Sequence, residues 1–318
     1  MERNHYLNLL KCMACVAVVL IHVRFPGEVG TVLAYLSSWA VPLFMMISGY
    51  FAFDCDENTI RRRLIRMVRI LVFGWVVFMV VNILFAWKDH YLMSWLKEAF
   101  GWTFPMKILV FCSIKGALPL WYLIAMTETY LLWWFVVRKN AENKAVKWTW
   151  LLFVLSVSAD LAFLLLGVNS EFSILFVLKA LPWFMLGYWL KSRTGRWSLG
   201  RLWAWIAAGG LFSLLLVSVG EPLYVMIGSF FSAMTTPALL MLGMRNESHR
   251  VPRFLSFIGD KLSLYIYIFH VPVSRFLLLA AGKCGADVLG IYGWIHPFLT
   301  LIFTLALSSC WYGKWGTP

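Results

Sequence analysis

Lys11 and His22 are the first residues in the chain whose types and spacing suggest chemistry inside an apolar segment. They are eleven residues apart, close to three helical turns, so their side chains share one helix face about 16 Å apart along the axis. Cys15 and Val18 fall on the same stripe. This spacing predicts one wall of a passage, with a cation at one end and a titratable base at the other. The structural alternative has Lys11 reaching the membrane surface and His22 donating a hydrogen bond at a helix end.

A second candidate site is a run of five arginines within nine residues. Guanidinium forks match the geometry of phosphate groups, so the run suits a phosphate-bearing ligand. The alternative is a membrane anchor that touches lipid phosphates. Because five arginines exceed what membrane orientation requires, the run favours a specific ligand. The residues are Arg61, Arg62, Arg63, Arg66 and Arg69.

Further polar groups interrupt the later apolar segments. Ionisable groups at membrane depth are costly, which makes each of them a functional candidate. For any single residue, a structural ion pair is at least an equal alternative. Together they predict a hydrated cavity that opens on the outer side of the membrane. The residues are Asn82, Glu128, Asp160, Lys179, His270 and Arg275.

Apolar helices are the elements that must position these groups. Of the 318 residues, 61% are hydrophobic and the mean hydropathy is +0.77, whereas soluble domains are about 45–50% apolar. The apolar runs are roughly 20 residues long, as a bilayer crossing requires. We therefore predict an all-α polytopic integral membrane protein with about ten transmembrane helices in one bundle. It would form a single domain over 1–318 without a separate soluble domain. The predicted spans are 7–23, 31–53, 64–87, 117–138, 148–168, 172–190, 202–219, 222–244, 262–281 and 291–312.

The distribution of charge predicts the orientation of these spans. With the N-terminus inside, the inner connections carry 16 Lys and Arg residues and the outer connections carry 6. The positive-inside rule accounts for the net charge of +13 without a nucleic-acid partner, and it places both termini in the cytoplasm. The one long outer connection, 88–115, alternates Trp or Phe with Lys and is expected to be an interfacial or re-entrant element.

The six cysteines predict neither a disulfide framework nor a metal site. Most of them lie inside apolar runs. Cys12 and Cys15 have the spacing of a redox motif, but no strand-to-helix pattern follows them, so we interpret them as small residues in helix packing.

Several segments of the chain resemble a known family, the membrane-bound acyltransferase family 3, which contains sugar and polysaccharide O-acetyltransferases. The start of the chain is similar to the family's signature of a basic residue, ten intervening residues and a histidine, although Lys11 stands where Arg is commoner and Asn8 where Asp is usual. Further segments resemble later family motifs in the same order along nearly the whole chain. These segments are Val41–Tyr50, the arginine run with Arg63-x-x-Arg66, Leu120–Leu123, Pro182–Tyr188 and Ser263–Pro272.

The resemblance implies an acyl-CoA donor, usually acetyl-CoA, that binds from the cytoplasm, and it implies no metal. The five arginines would hold the CoA phosphates, and the acyl-pantetheine arm would run past Lys11. Ser48 and Tyr50 are further candidates for the donor site, with helix packing and capping as their alternative role.

The resemblance also implies that an acyl group passes through the bundle to a hydroxyl on the outer side of the cell membrane. His22 would be the essential base, or would carry the acyl group transiently; direct attack by the acceptor is favoured because a base suffices for a thioester. Glu128 or Asp160 would orient the imidazole. The acceptor would be a carbohydrate or glycolipid, and a homodimer is left open. Candidate acceptor contacts are Trp121, Asp160, Lys179, Tyr267 and His270.

Two other function classes fit the same charges. A transporter or flippase for a glycan or glycolipid would also have charged groups inside the membrane and an outer cavity, but it would not consume acyl-CoA. A sensor that binds a small ligand is another alternative, against which the arginine run and the Lys11–His22 face argue.

Overall fold

The structure, a computed structural model, describes residues 4–166, 175–192, 197–217, 224–247, 249–285 and 290–316. These residues form fifteen α-helices and no strand. A helix suits a lipid environment because its backbone N–H and C=O groups form hydrogen bonds within the same segment. A 3-10 turn, Leu118–Leu120, precedes α7, and a π-helical turn, Ile258–Leu262, precedes α14. The helices are α1 His5–His22, α2 Gly27–Leu36, α3 Ala40–Ala52, α4 Glu57–Lys88, α5 Leu92–Ala99, α6 Phe104–Leu109, α7 Trp121–Arg138, α8 Glu142–Val146, α9 Thr149–Leu166, α10 Ala180–Lys191, α11 Leu199–Val217, α12 Tyr224–Arg245, α13 Arg253–Phe257, α14 Ser263–Lys283 and α15 Ile291–Trp315.

Six segments among the described residues are long and apolar enough to cross a membrane. The all-helical membrane fold is therefore confirmed, but the predicted count of about ten spans is not. Four predicted spans coincide with α9, α10, α11 and α12 instead. The 12 residues of α10 rise only about 18 Å, less than the bilayer core. The six segments are His5–His22, Gly27–Ala52, Glu57–Lys88, Leu118–Arg138, Arg253–Lys283 and Ile291–Trp315.

The chain divides into two compact units, and each is described by itself. The first unit comprises residues 1–48 and 190–317, and the second is formed by residues 49–189 together with residue 318. The prediction of one domain over 1–318 stays a prediction.

In the first unit, α1 packs against α14. It also packs against α13 and the π-helical turn, the two short elements that precede α14. Asn4 caps α1 by accepting a hydrogen bond from the Leu7 amide at 2.9 Å. Cys15 and Val19 of α1 form a buried core with Leu262 and Ile266. This core fixes the register between α1 and α14.

Gly259, in the π-helical turn, allows the closest backbone approach to α1. A methyl group at this position would overlap the backbone carbonyl of Asn8. A side chain there would push the turn away from α1, so glycine is required by space rather than by its backbone angles.

We expect Gly259→Ala to destabilise the protein by about 1–3 kcal/mol, because the added methyl group meets backbone that cannot move aside. Thermal unfolding in detergent measures the effect. Gly282→Ala is the matched control, since a methyl group at Gly282 meets nothing within 4 Å. Equal melting temperatures for the two variants would contradict the close approach.

In the second unit, α4 packs against α7, and the buried ring of Trp133 packs against Phe184 and Tyr188. Asp56 caps α4 by accepting a hydrogen bond from the Thr59 amide, and hydrogen bonding to Thr59 lowers the pKa of the Asp56 carboxyl.

The connection 88–115 contains the short helices α5 and α6. Trp95 and Ala99 of α5 are buried against Ala86 of α4, whereas Trp102 is 93% exposed. An interfacial position for this segment stays a prediction. Asn82 on α4 donates a hydrogen bond to the carbonyl of Gly116 at 2.9 Å and so holds the end of the connection.

Candidate functional site

His22 and His270 lie side by side in the first unit. Their ring centroids are 5.1 Å apart, with the ring planes at 47°. His22 is the last residue of α1 and is half-buried, whereas His270 on α14 is fully buried. The α1–α14 core explains the pairing, because Ile266 lies in that core and His270 follows it by one helical turn.

The hydrogen bond of His270 determines which of its ring nitrogens carries the proton. Its Nδ1 lies 3.1 Å from the carbonyl of Ile266, which can only accept, so Nδ1 is the donor. In the neutral ring, Nε2 therefore has a free lone pair. This Nε2 is buried and has no hydrogen-bond partner among the described residues. The pair thus combines the half-buried imidazole of His22 with a hydrogen-bond-accepting nitrogen of His270 that has no partner among the described residues.

Lys11 lies on α1, which runs unbroken from His5 to His22, so the structure keeps the two residues on the face predicted from their spacing. Lys11 is half-buried, while Cys15 and Val18 between them are buried. Tyr267 is also buried, with its ring centroid 6.2 Å from that of His270. The structure therefore brings His22, Tyr267 and His270 together.

The five arginines occupy the first turns of α4 in the second unit. Arg61, Arg62, Arg66 and Arg69 are exposed and Arg63 is half-buried. Arg62 donates to the hydroxyl of Thr59 at 3.1 Å. Among the described residues none of the five forms a salt bridge, and a buried guanidinium nitrogen of Arg63 has no hydrogen-bond partner there. Their charge is therefore available to an anionic ligand.

Glu128, on α7 in the second unit, forms a hydrogen bond with a cysteine. Its carboxylate accepts a hydrogen bond from the Cys112 thiol at 3.3 Å within the second unit. Burial and then the Glu128 charge raise the pKa of Cys112, which keeps this thiol protonated. The proposed role of Glu128 in orienting an imidazole stays a prediction.

The remaining predicted site residues lie apart from the histidine pair in the chain. Trp121 is the half-buried first residue of α7, and Lys179 is half-buried just before α10. Asp160 falls within α9, but its side chain lies outside the described residues. Ser48 donates to the carbonyl of Phe44 on its own helix at 2.9 Å, and Tyr50 is buried with its ring edge-on to Phe51. The bond of Ser48 fits its alternative role in packing.

Comparison with known families decides the class of the protein. The family model for an acyltransferase domain, that of acyltransferase family 3, matches residues 4–312. The chain belongs to acyltransferase family 3. With six candidate spans among the described residues, it is a membrane acyltransferase of this family. No curated protein and no solved structure matches it.

The structure of this family member also contains a polar cluster that the sequence interpretation missed. Ser274 on α14 lies 3.0 Å from Nε2 of His296 on α15, and the hydroxyl of Tyr292 lies 3.2 Å from Nδ1 of the same ring. Ser274 and His296 are buried. The signal available was the four-residue spacing of Tyr292 and His296, which puts two titratable groups on one face of a predicted span.

Proposed function

We propose that the chain is an integral membrane O-acyltransferase that moves an acyl group, most simply acetyl, from cytoplasmic acyl-CoA to a hydroxyl of a cell-envelope glycan or related acceptor on the outer side. The contact between His22 and His270 carries this proposal. Membership of an acyltransferase family supports the reaction class. The excess of Lys and Arg on one set of connections supports a cell-membrane protein whose two termini lie in the cytoplasm.

His22 is the proposed base. As the acceptor oxygen attacks the acyl carbonyl, the hydroxyl proton passes to the His22 imidazole. A carbon–oxygen bond forms, the carbon–sulfur bond breaks, and the CoA thiolate takes up a proton. The half-buried position of His22 at the end of α1 suits the role of a base, because the imidazole ring is held by packing and is still partly accessible.

His270 and Tyr267 are the proposed contacts for the acceptor. The free lone pair of His270 Nε2 can accept a hydrogen bond from a second hydroxyl next to the reacting one. A compound with neighbouring hydroxyls, such as a carbohydrate, satisfies both histidines at once. Trp121, Asp160 and Lys179 of the second unit stay predicted contacts for an acceptor.

The arginine run is the proposed site for the phosphates of the donor. Exposed guanidinium groups that form no salt bridge among the described residues favour a phosphate ligand, since each can form charge-assisted and bidentate bonds. Lys11 would contact the acyl-pantetheine arm, and Tyr50 with Ser48 would lie at the donor end.

To test this proposal, membranes that contain the chain are incubated with cell-envelope glycans and with acetyl-CoA labelled in the acetyl group. Label is expected in alkali-labile esters on the glycans, with one CoA thiol released for each label. Membranes lacking the chain are the control. Movement of glycan across the bilayer without release of CoA would overturn the proposal in favour of a transporter.

A further inference from the structure

The cluster of Ser274, His296 and Tyr292 in the first unit forms a continuous chain of hydrogen bonds between α14 and α15. The hydroxyl of Tyr292 donates to the backbone carbonyl of Leu277 at 3.0 Å and lies 3.2 Å from Nδ1 of His296. Nε2 of His296 lies 3.0 Å from the hydroxyl of Ser274. Three contacts therefore connect a buried serine to a carbonyl further along α14.

With a neutral His296 ring, only one placement of the protons satisfies all three contacts. Tyr292 has a single hydroxyl proton, and the carbonyl of Leu277 can only accept it. The Tyr292 oxygen must then accept from Nδ1–H of His296. This leaves Nε2 as the acceptor for the proton of Ser274. Every bond consequently donates in the same direction, from Ser274 through His296 and Tyr292 toward Leu277.

The start of this chain lies close to His270, the neighbour of the proposed base. Ser274 follows His270 by four residues on α14, so their side chains are neighbours on one helix face, with β-carbons about 5–6 Å apart. One bridging hydroxyl or water can span such a gap. The lone pairs of Ser274 are directed to accept, because its proton is used by His296. Tyr292, at the other end, is the second residue of α15 and is half-buried.

We propose that Ser274, His296 and Tyr292 form a proton path that carries the acceptor's hydroxyl proton from the histidine pair to the side of the membrane where the acceptor lies. This inference rests on the proposed function. The base passes its proton to Nε2 of His270, and that proton moves from Nε2 through one bridging water or hydroxyl to Ser274, while Nδ1–H of His270 stays on the carbonyl of Ile266. Ser274 hands its own proton to His296, which releases its Nδ1 proton to Tyr292. The half-buried Tyr292 then turns its own hydroxyl proton away from the carbonyl of Leu277 and releases it to water.

The proton balance of the reaction explains why such a path is needed. The CoA thiolate takes up one proton on the donor side, while the acceptor hydroxyl loses one on the opposite side. Each acyl transfer therefore removes a proton from the donor side and releases one on the acceptor side. Proton movement needs no open channel, which agrees with the burial of Ser274 and His296.

Inside-out vesicles from cells that make the chain test this path, because acceptor glycans are trapped in their lumen. Labelled acetyl-CoA is added outside, and a pH-sensitive dye reports the lumen. One proton is expected to appear in the lumen per acetyl group transferred. Tyr292→Phe, which keeps the ring and removes the hydroxyl, is expected to slow both processes by about 10-fold or more. Ser274→Ala should do the same, and Ser274→Thr should restore the rate.

Thr304→Ala is the control, since Thr304 is a buried hydroxyl residue on α15, as Ser274 is on α14, and its hydroxyl has no hydrogen-bond partner among the described residues. It should leave proton release unchanged. Acetyl transfer without acidification of the lumen would overturn the path, as would wild-type acidification by Tyr292→Phe. Absence of label transfer by the wild-type chain would instead overturn the proposed function on which the path rests.

Discussion

His22→Ala is expected to lower the rate of acetyl transfer by about 10²–10⁴-fold, the usual contribution of a positioned general base. The alanine removes the imidazole whose ring centroid lies 5.1 Å from that of His270. Donor affinity should change little, because the proposed phosphate contacts come from the arginine run. The measurement is the initial rate of label transfer from acetyl-CoA at saturating donor.

His249→Ala is the control for this variant, since His249 is exposed in the connection before α13. Its rate should equal that of the wild type. Thermal unfolding should confirm that His22→Ala is folded. Undiminished transfer by a folded His22→Ala protein would remove His22 from the mechanism.

Replacing Arg63 and Arg66 together by alanine is expected to raise the KM for acetyl-CoA by at least about 10-fold, since hydrogen bonds to charged groups contribute about 1.5–3 kcal/mol each. The kcat should be preserved, because these contacts hold the donor equally before and during the reaction. Steady-state rates across a range of acetyl-CoA concentrations separate the two constants.

A donor without phosphates sharpens this experiment. S-Acetylpantetheine lacks the nucleotide, so the double variant and the wild type should use it equally well. Arg201 is an exposed arginine on α11. Arg201→Ala therefore controls for the loss of a surface cation outside the arginine run, and it should keep the wild-type KM for acetyl-CoA. An unchanged KM in the double variant would contradict the phosphate site.

The fold was predictable where one helix or one run of residues carried the signal. The Lys11–His22 face follows from helical geometry alone, and α1 begins and ends within two residues of its prediction. The short α10 was not predictable, because an apolar run does not reveal where a helix begins inside it.

Contacts between distant segments account for most of what the sequence could not supply. His22 and His270 are separated by 248 positions, and only tertiary packing brings their rings together. Ser274 looks like an ordinary packing residue in an apolar span until His296 is found beside it. Conversely, the sequence marks Glu128 as a charge within a predicted span. It does not predict the thiol partner Cys112, which lies in the connection before α7 and has no helical spacing to Glu128.

The unequal burial of the cysteines gives the native chain its own labelling sites. Cys284 is exposed directly after the end of α14, whereas Cys112 is buried and its raised pKa keeps it unreactive. A maleimide reagent that does not cross membranes therefore has an accessible thiol at this one end of α14 without any engineered substitution. A fluorophore placed there would be next to the segment that carries His270 and Ser274, and so would report on movements of α14 during turnover.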